Sequence, residues 1–217
     1  MSRAAVLTRP QERSFAPEQA EQGTDRLFRL SVDRYHAMME AGILKDGDPI
    51  ELLEGLLVRK MTIHPPHAAC VDTLSGVLRN MLPTGWYIRH QQPLATSDSE
   101  PEPDISVVQG TPSDYEDAHP NAADVALVIE VADQSLQRDR TTKRRIYARA
   151  GVRVYWIVNL IERQIEVCSD PTNGKGSRKP ASYRSINVFT ESQDISIIVE
   201  RKIVGHVKVS SVLPRAR

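Results

Sequence analysis

The chain has 217 residues, of which 40% are hydrophobic and 26% charged, enough for one globular domain with a sizeable core. Its 28 basic residues balance 28 acidic ones, which excludes a polycation that binds nucleic acid through overall charge. The two cysteines lie far apart and suggest no disulfide framework, and no apolar run approaches the ~20 residues of a membrane-spanning helix. These features predict a cytoplasmic protein that makes no membrane contact.

The first part of the chain is predicted to be a flexible arm followed by short elements. Residues 1–25 are polar and show no sustained periodicity, so the folded domain is expected over 26–217. Residues 31–41 have a serine N-cap and a following glycine, the signals of a short helix. Residues 50–61 predict a pair of strands with the turn at Glu54-Gly55.

The middle of the chain predicts a helix and two strands. Apolar residues recur at helical spacing over 67–81, and Pro83 stops that pattern. Strand patterns follow at 86–93 and 104–108, and 109–123 is a polar loop.

The order strand, helix, strand over 125–158 indicates the fold class. Residues 125–131 (VALVIEV) are typical of a strand buried on both faces. A helix is expected at 141–150, and a second interior strand at 154–158. Such a βαβ crossover favours an α/β fold with a mixed sheet. The remaining strand patterns are IEVCS, INVF, ISIIV and VKVSSVL, with a flexible Gly/Lys/Ser loop at 173–179.

Two carboxylates occupy positions where an ionised group is costly. Glu130 lies inside an apolar strand, and Asp104 opens another strand directly after a proline. Carboxylates at the ends of adjacent strands form a hard-oxygen site suited to magnesium or manganese. The alternative is that Glu130 pairs with an arginine and that Asp104 only begins a strand.

The charges along the chain are segregated around these two residues. Residues 98–133 contain ten acidic side chains and no lysine or arginine, whereas 134–153 contain seven basic side chains and one acid. An acidic wall beside a basic helix suits a polyanionic substrate, although charge runs usually mark solvated surface. Helical spacing places Lys143 on one face with Ile146 and Tyr147, and Arg145 and Arg149 on the opposite one. We therefore expect Lys143 to face inward, either as a snorkelling side chain or as a group that orients water and stabilises charge.

Several segments resemble one known family. PEPDISVV, ADVALVIEVADQSLQRDRTTKRRIYARAGVRVYWIVNL, IELLEGLLV and HPPHAACVDTLSGVLRNML are similar to segments of the Uma-type restriction endonucleases, within the PD-(D/E)xK nuclease superfamily. The resemblance covers roughly residues 28–165. It implies a restriction-endonuclease-like mixed central β-sheet flanked by helices, and Mg²⁺- or Mn²⁺-dependent cleavage of phosphodiester bonds in DNA.

The resemblance also implies a catalytic site. Pro103-Asp104 matches the PD element, and Glu130 matches the acidic position of (D/E)xK. Ala132 stands where the motif has its lysine, and Lys143 matches the lysine that replaces it from the following helix. Glu51 matches a third acidic group, so the metal ligands are expected to be Asp104, Glu130 and Glu51.

A second set of residues is expected around this centre. Gln92, His67 and Asp139 are candidates for contacts to the metal-binding groups, and Arg140 and Arg144 are candidates for holding the phosphate backbone. A homodimer is expected because a single small nuclease domain offers one catalytic centre per strand.

Departures from the family pattern keep a second function open. Ile50 replaces a tyrosine, Leu56 replaces a glutamate and Asn159 replaces an aspartate, and Leu56 makes the expected site less acidic. The alternative is a catalytically inactive nuclease fold that binds nucleic acid or mediates assembly.

A zinc site is the other alternative weighed. His64, His67 and Cys70 are spaced three residues apart, but Pro65-Pro66 between them makes a structural turn the simpler interpretation. The chain has no Gly-x-Ser-x-Gly elbow and no Gly-rich phosphate loop.

Overall fold

A computed structural model of the chain describes residues 27–45, 47–174, 176 and 179–215. The predicted arm at 1–25 lies outside the described residues, so its separation from the folded domain stays a prediction. Residues 175, 177 and 178 of the predicted flexible loop also lie outside them. No helix within the described part of the chain is long and apolar enough to cross a membrane.

The described residues form ten strands and several helices. The strands are β1 (Ile50–Leu53), β2 (Leu56–Arg59), β3 (Trp86–Arg89), β4 (Ile105–Gln109), β5 (Val125–Ala132), β6 (Val154–Asn159), β7 (Gln164–Thr172), β8 (Ser182–Thr190), β9 (Asp194–Val199) and β10 (Lys202–Lys208). The helices are α1 (Val32–Glu40), α2 (Pro65–Arg79), α3 (Leu136–Arg138), α4 (Arg144–Ala150) and α5 (Val209–Val212), with a 3₁₀ turn at Pro112–Tyr115 and a π-helical turn at Asp139–Lys143.

A six-stranded mixed sheet is the centre of the fold. Its strand order is β3-β4-β5-β6-β7-β8, and β5 and β6 are parallel whereas the other neighbours are antiparallel. The crossover between β5 and β6 contains α3, the π-helical turn and α4. The predicted α/β fold with a mixed sheet and a βαβ crossover is therefore confirmed.

Two hydrophobic clusters cover opposite faces of this sheet. On one face α2, α5 and the β9–β10 hairpin pack against alternate residues of β4 and β5, such as Ile105 and Ile129. On the other face α4 packs through Tyr147 and Ala148 against Val128 and its neighbours. β5 contributes to both clusters, which explains its continuous apolar run.

Three sequence predictions differ from the structure. The strand expected at 86–93 ends at Arg89, because the chain turns at Gln91, which has a φ of 48°. The segment VKVSSVL is strand only to Lys208, and α5 then places Val209 and Val212 in the core at helical spacing. The helix expected to begin at residue 141 instead begins at Leu136, and it contains one π-helical turn.

Candidate active site

A cavity of about 330 Å³ opens at the end of β4 and β5, beneath the β1–β2 hairpin and the π-helical turn. It is rich in charge. The ionisable side chains that line it are Glu51, Lys60, His67, Glu102, Asp104, Glu130, Asp133, Arg138, Asp139 and Lys143. The expected metal ligands and Lys143 therefore lie around one cavity, although they come from four separate segments of the chain.

The pairing of β4 with β5 brings the first two carboxylates together. The antiparallel register places Ile105 opposite Ile129, so the adjoining residues Asp104 and Glu130 lie side by side. The backbone N–H of Val131 donates to Asp104 Oδ2 at 2.8 Å. Both side chains are buried, because Asp104 is 8% exposed and Glu130 is 4% exposed.

Lys143 joins Glu130 to Glu51 across the cavity. Its Nζ lies 2.9 Å from Glu130 Oε1 and 3.2 Å from Glu51 Oε2. It is the last residue of the π-helical turn, an element often found at functional sites. Burial lowers the pKa of Lys143, but the carboxylates of Glu130, Glu51 and Asp139 raise this pKa by more than burial lowers it. The Lys143 side chain therefore stays charged.

Glu130 is held by two donors on the crossover helix. Besides Lys143, the hydroxyl of Tyr147 donates to Glu130 Oε1 at 2.6 Å, and no described residue donates to Oε2. Burial raises the pKa of Glu130 to about 8, and Asp104 and Glu51 add to this rise, whereas Lys143 opposes it. Sequence reasoning assigned Tyr147 only to the inward face, and its i+4 spacing from Lys143 was the available signal for this contact.

Asp104 has its own partner on α2. His67 Nε2 lies 3.0 Å from Asp104 Oδ2, and His67 is 9% exposed. Burial raises the pKa of Asp104, but the hydrogen bonds from His67 and Val131 outweigh burial and hold it below its usual value. Asp104 is therefore an ionised carboxylate at neutral pH.

Glu51 carries an unused oxygen. Its backbone position on β1 buries the side chain to 1% exposure, and Oε2 accepts from the N–H of Glu102 at 3.2 Å. Oε1 is buried without a hydrogen-bond partner among the described residues, and Arg138 Nη2 lies 3.9 Å from it. A buried carboxylate oxygen without a partner is costly, which makes Glu51 suited to accept an additional positive ligand.

The structure places Gln92 and Asp139 differently relative to the cavity. Gln92 does not line the cavity; its neighbour Gln91 does, with Nε2 3.4 Å from Asp104 Oδ1. The turn at Gln91 breaks the strand alternation on which the choice of Gln92 depended. Asp139 lines the cavity at 1% exposure and accepts from Ser135 Oγ at 2.5 Å. Burial raises the pKa of Asp139.

The predicted phosphate-binding arginines point elsewhere. Arg140 pairs with Glu166 at 2.9 Å and with Glu162 at 3.0 Å, beside β7, and neither Arg140 nor Arg144 lines the cavity. The π-helical turn adds a residue to the turn and so changes the faces expected from regular helical spacing. Arg138 is the arginine at the cavity.

Other residues singled out in the sequence take structural places. Arg145 and Arg149 face away from the cavity, as expected, and both pair with Glu54. Leu56 does not line the cavity, so its replacement of a glutamate leaves the lining unchanged. Ala132 is fully buried against the α4 side of the sheet.

The zinc alternative has little support in the geometry. His64 contacts Gln134, His67 contacts Asp104, and Cys70 is a buried thiol. No group of three or more His, Cys, Asp or Glu side chains in the described ranges is already arranged to hold a metal ion.

Comparison with known proteins identifies the family. The family model Uma2, described as "Putative restriction endonuclease", matches residues 32–200, well over half of the chain. The chain belongs to the Uma2 family. The family predicted from the sequence segments is thereby confirmed. No curated protein matches this Uma2 chain.

A solved structure supports the fold of this Uma2 family member. The chain is similar to the crystal structure of a "putative nuclease" from Anabaena variabilis ATCC 29413, with 18% identity and a TM-score of 0.62. The match covers 80% of this chain and 94% of the other. At this identity the likeness shows the nuclease-like fold alone.

The site of this Uma2 chain has the donor chemistry that a divalent cation needs. Three carboxylates face one cavity, and Oε1 of Glu51 and Oε2 of Glu130 accept no hydrogen bond from the described residues. Hard oxygen donors are the ligands preferred by Mg²⁺ and Mn²⁺. Because Lys143 Nζ lies between Glu130 and Glu51, an ion held by both of these carboxylates would take the place of its ammonium.

Proposed function

We propose that this Uma2-family chain is a divalent-metal-dependent endonuclease that hydrolyses phosphodiester bonds of DNA. The observation that carries the proposal is the meeting of Asp104, Glu130 and Glu51 with the charged Lys143 in one cavity. Family membership supports the nuclease activity, and the carboxylates support the metal dependence.

The carboxylates of Asp104, Glu130 and Glu51 would hold the ion. Mg²⁺ or Mn²⁺, when bound, would supply charge that neutralises the phosphate and favours loss of a proton from water. His67 fixes one oxygen of Asp104, and Tyr147 fixes one oxygen of Glu130, which preorganises the ligands.

Lys143 takes the role of the motif lysine. Residues 130 and 132 share one face of β5, since strand side chains alternate with a period of two. Ala132 offers no ammonium there, whereas Lys143 reaches Glu130 from the π-helical turn. The surrounding carboxylates keep the Lys143 ammonium charged. This ammonium would donate a hydrogen bond to the attacking water or to a phosphate oxygen. We propose that Arg138, which lines the cavity, holds the phosphate backbone in place of Arg140 and Arg144.

The test compares Asp104→Asn with Asp72→Asn. Asp72 is an exposed aspartate on α2, so its substitution matches the chemical change outside the site. Supercoiled plasmid, single-stranded DNA and RNA are incubated with each protein in MnCl₂, MgCl₂ or EDTA. We expect cleavage by the parent and by Asp72→Asn with metal only, and loss of cleavage in Asp104→Asn. Cleavage that survives both EDTA and Asp104→Asn would refute the proposal, and cleavage of RNA alone would refute its DNA substrate.

A separate measurement tests metal binding without activity. A ligand that binds only the folded state raises the unfolding temperature, and the gain in stability grows with the logarithm of one plus its free concentration over Kd. MnCl₂ should raise the unfolding temperature of the parent and of Asp72→Asn, but not that of Asp104→Asn. Equal shifts in the three proteins would place the ion elsewhere.

A catalytically inactive module that binds nucleic acid is the second candidate. The ion pairs of Lys143 with Glu130 and Glu51 favour it, because they already neutralise two of the three expected ligands. DNA binding by the parent without cleavage in any metal, and without a manganese shift, would support this candidate over the endonuclease.

The homodimer also stays a prediction. Light scattering coupled to size-exclusion chromatography, with and without DNA, measures the mass of the particle. A mass of one chain under both conditions would refute the dimer without touching the proposed chemistry.

A further inference from the structure

A buried arginine without an anionic partner lies on β3, outside the candidate active site. Arg89 is 8% exposed, and no carboxylate among the described residues lies within ion-pair distance of its guanidinium. Among the described residues its Nε is buried without a hydrogen-bond partner, and its one polar contact is a 3.4 Å approach of Nη2 to His119 Nδ1. Buried charges are normally paired, so this guanidinium has unused capacity for an anion.

A tyrosine beside Arg89 also has a buried polar atom without a hydrogen-bond partner among the described residues. Tyr87 precedes Arg89 by two residues on β3, so both side chains lie on the same face of the sheet. The Tyr87 hydroxyl is buried and has no hydrogen-bond partner within the described part of the chain. Tyr87 and Arg89 also line one cavity.

This cavity has a volume of about 540 Å³ and an aromatic wall. Arg89, Tyr87, Tyr115 and His119 line it. The rings of Tyr87 and Tyr115 lie 6.4 Å apart, and the Arg89 guanidinium carbon lies 5.7 Å from the Tyr115 ring centre. Glu116 is the carboxylate in the described lining, and it is exposed and makes no ion pair with Arg89.

A further opening, called the groove below, shares lining residues with this cavity and with the candidate active site. The groove has a volume of about 650 Å³, and it shares His119 and Gln92 with the Arg89 cavity, and Lys60 and Gln91 with the active-site cavity. Glu102 and Glu100, which line the middle of the groove, are paired with Lys60 at 2.8 Å and with His36 at 2.6 Å.

The remaining carboxylates of this middle section are Glu40 and Asp48. Asp48 accepts a backbone hydrogen bond from Lys45, whose side chain also lines the opening. Acidic and basic side chains are therefore interspersed along the groove.

We propose that the Arg89 cavity binds one nucleotide of a single DNA strand that continues into the active site. The phosphate would bind the Arg89 guanidinium and the Tyr87 hydroxyl, and the base would pack against the aromatic wall. Guanidinium binding of phosphate and base–aromatic stacking are the usual means of holding single strands. This inference rests on the proposed function for the identity of the ligand.

The test measures binding of a fluorescein-labelled single-stranded DNA 12-mer to the full chain by anisotropy, in EDTA so that metal-dependent cleavage does not intervene. Arg89→Gln is compared with Arg184→Gln, an arginine whose side chain is 70% exposed at the far edge of the sheet. We expect Arg89→Gln to raise Kd roughly tenfold. Arg184→Gln should leave Kd unchanged.

The salt dependence of Kd separates a phosphate contact from a structural role. Loss of one phosphate contact on a single strand lowers the slope of log Kd against log salt concentration by about 0.7. Arg89→Gln should show this decrease, and Arg89→Lys should restore the slope while recovering only part of the affinity. A folded Arg89→Gln protein with the parent's Kd and slope would overturn the proposal.

A second variant keeps the test decisive if Arg89→Gln does not fold. Tyr115→Leu removes part of the aromatic wall and should raise Kd roughly fivefold or more, with the salt slope unchanged. Folding of each variant is checked by circular dichroism and urea unfolding. If folded Tyr115→Leu binds the 12-mer as the parent does, the proposal fails.

The outcome can be separated from that of the endonuclease proposal. Weaker binding by Arg89→Gln, with no cleavage by the parent in manganese, would support the nucleotide site and refute the endonuclease. Manganese-dependent cleavage by the parent, with the same KM in folded Arg89→Gln, would support the endonuclease and refute the nucleotide site.

Discussion

Removal of the Lys143 ammonium would leave two carboxylates buried without their shared cation. Lys143 is 4% exposed, and it pairs with Glu130 at 2.9 Å and with Glu51 at 3.2 Å. Lys143→Met keeps a long unbranched side chain but deletes the charge. Removing one partner of a buried ion pair costs ~3–5 kcal/mol, because the other charge stays buried and unpaired. We expect a loss approaching that size in the free energy of unfolding at about pH 9.5, where Glu130 is ionised in the parent.

The loss should become smaller as the pH falls, because Glu130 can take up a proton. Burial raises its pKa from 4.5 to about 8 even against Lys143, so the pKa should rise further when Lys143 is replaced. A carboxyl whose pKa is raised in the folded state stabilises the fold below its unfolded pKa. That stability is lost as the pH rises through the folded pKa, by up to about 1.4 kcal/mol per pH unit. The parent loses this stability at the same rate up to its own folded pKa of about 8. The difference between variant and parent should therefore grow only above that pKa, and it is compared at about pH 7 and about pH 9.5.

Urea unfolding at both pH values, followed by circular dichroism, measures the effect. Lys202→Met is the matched control, since Lys202 is exposed on β10 and its loss should cost less than about 0.5 kcal/mol. The double variant Glu130→Gln with Lys143→Met should be more stable at about pH 9.5 than Lys143→Met alone, because the unpaired carboxylate of Glu130 is gone. A loss under about 1 kcal/mol, or a loss equal at both pH values, would refute the buried charge network.

Three further predictions concern other parts of the fold. Arg145 donates two hydrogen bonds of 2.7 Å to the Glu54 carboxylate, and these bonds lower the pKa of Glu54, so Glu54→Gln should lower the free energy of unfolding by about 1–2 kcal/mol at pH 7 and by nothing below the lowered pKa. Melting curves at pH 7 and pH 3 test this, and equal losses of stability at both pH values would contradict it. Burial raises the pKa of Cys70 to about 12, so iodoacetamide at pH 8 should label Cys70 only after the chain is unfolded in urea. Peptide mass spectrometry measures the labelling, and rapid labelling of the native chain would contradict this expectation. Gly55 has a φ of 77°, and an added Cβ would lie 2.8 Å from the carbonyl oxygen of Leu30. Gly55→Ala should therefore lower the free energy of unfolding by more than about 1 kcal/mol in the same urea assay, and an unchanged urea midpoint would argue against the close approach.

Local patterns were sufficient for the central elements of the fold. The apolar run of β5 and the helical spacing of α2 each depend on neighbours a few residues apart, and both elements lie close to where they were predicted. The parallel pairing of β5 with β6 followed from the intervening helix, because parallel strands need a long crossover. The family was recognisable from the same segments.

Irregular backbone limited what the pattern could predict about side-chain direction. The π-helical turn shifts the face of the crossover helix, so Arg140 turns to Glu166 and Arg138 lines the cavity. The turn at Gln91 similarly exchanges Gln91 for Gln92 at the cavity. Neither departure has a clear signal in hydrophobic periodicity.

The sequence by itself determined the fold class, the family and the unusual placement of acidic groups in or beside apolar strands, because these depend on residue type and short-range spacing. Tertiary structure decided which groups meet. Glu51 and Lys143 are 92 residues apart in the chain, yet their side chains lie 3.2 Å apart, and the unpaired Arg89 is visible only once its surroundings are known. Burial and long-range proximity set the charge state and partners of each of these groups, and neither can be read from neighbouring residues alone.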